Sequence, residues 1–162
     1  MNAFDPQSLS LDELRQTRNQ LQNEDDVVSY VRRVAQARLD LVRAEAHRRA
    51  RGESADSLSS ELRVVLSSHL TGGPPRPPRP VENLDDNALS DQLDVVCAEH
   101  GFSRLEELSA PEIENLDHQL SVFERRVSDD RRERYEHLDA LSAELVRRYR
   151  DGEASVDGFL GS

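Results

Sequence analysis

Residues 10–51 read SLDELRQTRNQLQNEDDVVSYVRRVAQARLDLVRAEAHRRAR, a single long helical pattern. Ser10 can cap a helix, and Glu13 three residues later completes a capping box. From there a stripe steps by threes and fours through positions 11, 14, 18, 21, 25, 28, 32, 35, 39, 42 and 46. Leu, Val and Ala occupy eight of those positions, as in a heptad seam that needs a partner helix. Gly52 supplies a stop, giving a helix over 10–51 that is roughly 60 Å long at 1.5 Å per residue. The partner is the mirror segment 109–151. Ser109 caps it, Pro111 sits in its first turn and Glu112 takes the box position. Its seam runs Ile113, Leu116, Leu120, Phe123 and Val127, and resumes at Leu138, Leu141, Leu145 and Tyr149 before Gly152.

Between the two long helices, residues 52–108 form a connector. Leu58, Leu62, Val65, Leu66 and Leu70 mark a short amphipathic helix over 57–70, and residues 71–80 are a Pro-rich linker. The linker reads as a stiff polyproline II spacer rather than a recognition peptide. A further helix covers 85–99 with His100 and Gly101 at its end, and 103–108 adds one turn. Residues 152–162 are a tail. No strand pattern is present. The expectation is a single all-α domain over 1–162, a long antiparallel two-helix coiled-coil hairpin.

A polar pattern interrupts both seams. Asp25, Ser29, Arg32, Gln36 and Asp40 repeat as Glu124, Ser128, Arg131, Tyr135 and Asp139, with identical spacings of one helix face. Charge at a coiled-coil core position is costly unless paired or ligated, and Asp25 and Arg32 fall on the seam. From Ser128 to His137 the second helix has no aliphatic residue, so the partner helix alone does not fill that stretch. In an antiparallel pair the two copies are related by a pseudo-two-fold axis, which suits a ligand with its own two-fold axis. Guanine offers N1–H and N2–H₂ to a carboxylate, and O6 and N7 to an arginine fork. Arginine also clamps phosphate. Cyclic di-GMP is the symmetric guanine-bearing candidate.

Composition narrows the classes. Hydrophobic residues make up 36% and aromatics 4%, so the core is thin, as in a helical hairpin. A net charge of −11 disfavours direct nucleic-acid contact and favours a basic protein partner. All 21 basic residues are arginine, each a planar fork. Cys97 is the lone cysteine, expected as a small packed side chain, and no metal site is expected. With no signal peptide and no membrane-spanning run, the expected location is cytoplasmic. There is no phosphate loop, zinc-protease motif or nucleophile elbow, so an enzyme is not expected. His47 and His137 are placed on solvated faces.

The double motif resembles the signature of the RsiG family, cyclic-di-GMP-armed anti-sigma factors of sporulating actinobacteria. Ser29–Arg33, Phe123–Ser128 and the stretch 147–157 resemble it too, and the resemblance spans 11–50 and 110–160. It implies a hairpin that binds cyclic di-GMP as a stacked pair and then holds a WhiG-type sigma factor away from RNA polymerase. The complex would be one-to-one, with the chain a monomer. Asp25, Ser29, Arg32, Gln36 and Asp40 would contact one part of the ligand pair, and Glu124, Ser128, Arg131, Tyr135 and Asp139 the other. Asp25 stands where the family has glutamate, one methylene longer, and Tyr135 where it has glutamine. These departures bear on affinity and stoichiometry. The alternative is a nucleotide-independent adaptor whose acidic helices bind a basic protein.

Overall fold

Two helices of equal length carry the fold of this chain, whose computed structural model describes residues 4–52 and 87–152. Helix α1 spans Leu11–Arg51 and α3 spans Ala110–Arg150, with the shorter α2, Ala88–Glu99, between them in sequence. Both predicted capping boxes form. The Ser10 amide donates to Glu13 Oε2 at 2.7 Å, and the Ser109 amide to Glu112 Oε2 at 2.7 Å. Each box satisfies amides that a first helical turn leaves without an intrahelical acceptor. The long helices stop at Gly52 and Gly152, where φ is +66° and +75°, a left-handed turn that side chains disfavour. Helix α2 starts at 88 rather than 85, because Asn87 Oδ1 caps it by accepting from the amides of Leu89 and Ser90. The turn expected over 103–108 is a 3-10 helix at Phe102–Glu107. Among the described residues there is no strand, so the all-α class holds. The expected helix 57–70, the linker 71–80 and most of the tail lie outside the described residues.

The chain divides into two compact units. One comprises 27–128 and the other 1–26 with 129–162. In the first, α1 and α3 run antiparallel: Arg32 meets Ser128, Gln36 meets Glu124 and Arg43 meets Asp117. Its core joins Val31, Ala35 and Val42 to Leu93 of α2 and Leu116 and Leu120 of α3. In the second unit the pairing is again antiparallel, with Arg15 on Tyr149 and Glu24 on Arg134. Its apolar core is small, built on Leu14, Leu141 and Leu145.

The buried track departs from the expected seam in places. Val31 is fully buried while the neighbouring Arg32 keeps about a third of its side chain in water. Rotating the helix by that one position spares the guanidinium full desolvation. Ala46 is exposed, and Glu45 instead is completely buried. Tyr149 is also exposed, its hydroxyl accepting from Arg15 at 2.6 Å. Cys97 is buried, as expected, and burial raises its thiol pKa. His47 is exposed, whereas His137 is half-buried and stacks on Phe4, ring centroids 4.4 Å apart.

Candidate functional site

The 27–128 unit gathers most of the motif. Arg32 Nε donates to Ser128 Oγ at 2.9 Å and lies 3.3 Å from Glu124 Oε1. Gln36 Nε2 donates to the same Glu124 oxygen at 3.0 Å, and Ser128 Oγ donates to it at 2.8 Å. Two donors, one from each helix, therefore converge on one carboxylate oxygen, with the Arg32 cation beside it. Ser29 is buried at 8% exposure on the same face of α1. Beside this cluster Gln36, Asp40 and Glu124 line a cavity of about 320 Å³ with Leu39 and Arg43. That volume lies at the lower end of the roughly 300–1,000 Å³ range of small-molecule pockets.

The other unit holds the equivalent cluster in altered form. Arg131 Nε lies 3.6 Å from Asp25 Oδ1, and Asp25 is buried at 7% exposure. Each motif arginine thus faces the acid of the other copy: Arg32 with Glu124, Arg131 with Asp25. Tyr135 does not repeat the role of Gln36. Its hydroxyl accepts from Arg131 at 2.6 Å, and the Arg131 guanidinium carbon sits 4.7 Å from the ring centroid, a cation–π geometry. Asp139 is exposed one turn further along α3.

Three features escaped the sequence reading. Arg43 lines the cavity, held by Asp117 at 2.8 Å and Ser121 at 3.3 Å. The Asp117 hydrogen bond raises its pKa above the ordinary arginine value, and the charges of Asp40 and Glu124 add to this. The second is a repeated Glu-x-x-Arg-Arg. Glu45 binds Arg48 and Arg49, and Arg49 donates onward to the carbonyls of Glu106 and Leu108 ahead of α3. Glu144 likewise binds Arg147 and Arg148, and Arg148 donates to the Gln7 carbonyl ahead of α1. The two copies stand at the same chain offset as the two polar motifs, which was the available signal. The third is a largely apolar groove of about 460 Å³, where Val95 of α2 and Val122 of α3 are exposed above Phe123. Nothing in the spacing of α2 alone foretold it.

Among the described residues no cluster of His, Cys, Asp and Glu could hold a metal ion. Nor is any described helix long and apolar enough to cross a membrane. No curated protein matches the chain. The motif residues of α1 nevertheless fall inside a segment that a family model does match. Residues 2–66 match the RsiG family model, described as RsiG-like.

Proposed function

We propose that the chain is a cyclic-di-GMP-binding anti-sigma factor that, once loaded, sequesters a WhiG-type sigma factor in a one-to-one complex and silences its regulon. The RsiG-type family suggests an anti-sigma role and a sigma-factor partner in general. The observation that carries the nucleotide reading is the cavity lined by Gln36, Asp40 and Glu124, contributed by both long helices. Its donor set suits guanine. The carboxylates match the N1–H and N2–H₂ donors, the Gln36 amide can serve either edge, and Arg32 beside it presents a fork for O6 and N7. In the second cluster, Asp25 and Arg131 supply acid and cation, and the Tyr135 ring supplies a face on which a base can stack.

Family and all-helical fold both suggest a non-enzyme, and the chain acts here through binding alone. The acid surface, at a net charge of −11, suits a partner that itself carries a DNA-binding basic face. The test is a pair of variants, Arg32→Ala and Arg131→Ala. Both abolish cyclic-di-GMP binding and leave helicity by circular dichroism unchanged. Co-elution with the sigma factor in gel filtration then fails even when the nucleotide is present. A plain adaptor has no nucleotide binding to lose, and co-elution of both variants without nucleotide would establish that reading instead.

A further inference from the structure

We propose that Arg43 is a further ligand-binding and specificity-determining residue, reading a phosphodiester of the cyclic dinucleotide. The proposal rests on the cyclic-di-GMP reading above. Gln36, Asp40 and Arg43 follow one another at i, i+4 and i+7 on α1, so all three present to one face. Two of the three charged groups lining the cavity, Asp40 and Glu124, are carboxylates. An anionic ligand entering such a cavity is repelled by both unless a cation is placed beside them. Arg43 is the cation among the lining residues. About half of its side chain is open to solvent, so the guanidinium can reach a ligand without leaving its helix.

Asp117 and Ser121 act as positioning residues. Asp117 Oδ1 accepts from Arg43 Nε at 2.8 Å, Ser121 Oγ accepts from Arg43 Nη2 at 3.3 Å, and Ser121 itself donates to Asp117 Oδ2 at 3.4 Å. Holding a guanidinium by its Nε edge aims the planar fork and lowers the ordering cost of binding an oxyanion. The repeat does not reproduce this group. At the offset that relates the two motifs, Arg43 corresponds to Ser142, Asp117 to Arg18 and Ser121 to Gln22. The clusters are therefore chemically unequal, and Arg43 is assigned to the ligand contacts of the 27–128 unit only.

The experiment is calorimetric titration of full-length wild type, Arg43→Ala and Arg43→Lys with cyclic di-GMP at two salt concentrations. Expected are at least a tenfold loss of affinity in Arg43→Ala, a shallower salt dependence, and partial recovery in Arg43→Lys, which restores the charge but not the fork. The melting temperature of each variant, read in parallel, shows that the fold survives loss of an exposed pair. Wild-type binding with an unchanged affinity and salt slope in Arg43→Ala overturns the Arg43 assignment alone. Failure of the wild type to bind cyclic di-GMP overturns the reading beneath it as well.

Discussion

Replacing Glu124 separates the two roles that its carboxylate could play. Its Oε1 collects Ser128 Oγ at 2.8 Å, Gln36 Nε2 at 3.0 Å and Arg32 Nε at 3.3 Å, and about a fifth of the side chain is exposed. Each neutral donor contributes roughly 0.5–1.5 kcal/mol net, and a part-exposed ion pair about 0–1 kcal/mol. Water reaches both donors once the carboxylate is gone, and Arg32 keeps its bond to Ser128, so Glu124→Ala should cost about 1–2 kcal/mol of stability. For a chain of this size that is a fall of roughly 2–8 °C in melting temperature. Ligand affinity should suffer more. A carboxylate facing two guanine donors contributes through charge-assisted bonds, and its loss should remove about 2 kcal/mol or more of binding, roughly 30-fold. Glu124→Gln keeps the size and the acceptor but not the charge, so it should recover most of the stability and little of the affinity. Urea unfolding followed by circular dichroism reads the first quantity, and calorimetry with cyclic di-GMP the second. Wild-type affinity in Glu124→Gln would rule out a guanine contact at this carboxylate, and a stability loss above about 4 kcal/mol in Glu124→Ala would make its role structural.

Two further outcomes follow from the repeated clamps. Arg49→Ala should destabilise by roughly 1–3 kcal/mol, because Glu45 loses a partner and the carbonyls ahead of α3 lose their donor. Hydrogen exchange at the start of α3 should quicken, and Arg49→Lys should not restore it, since a point charge cannot reach several carbonyls at once. Hydrogen bonds from Arg147 and Arg148 hold the Glu144 carboxyl down at about 2, against an ordinary value near 4.5. A depressed carboxyl stabilises the fold above its unfolded pKa and loses that contribution as pH falls through the folded one. The melting temperature should therefore drop between about pH 4.5 and 2, and Glu144→Gln should flatten the curve in that window.

The extent of the long helices was legible because their signals are local. Ser10 with Glu13, Ser109 with Glu112, and Gly52 and Gly152 act within a turn of where they stand. Heptad spacing located the core track to within one residue but not its rotation. Whether Arg32 or Val31 enters the core depends on the cost of burying a guanidinium, a tertiary quantity. The two acids Glu45 and Glu144 were hidden by the same rule, since a lone acid on a helix reads as surface. Only the arginines three and four residues on make their burial tolerable. Of the motif, the spacing placed Gln36, Asp40 and Glu124 correctly on facing helices. It could not supply Arg43, whose position depends on Asp117 and Ser121 far along the chain. Tyr135, which stands where the family has glutamine, carries Arg131 over its ring.

Titration of the purified chain with cyclic di-GMP, with cyclic di-AMP and GTP as controls, decides whether the hairpin is a nucleotide receptor. Cyclic di-GMP alone should bind, with low-micromolar or tighter affinity and at more than one ligand per chain. No heat at high ligand concentration, or equal binding of the two controls, would contradict it.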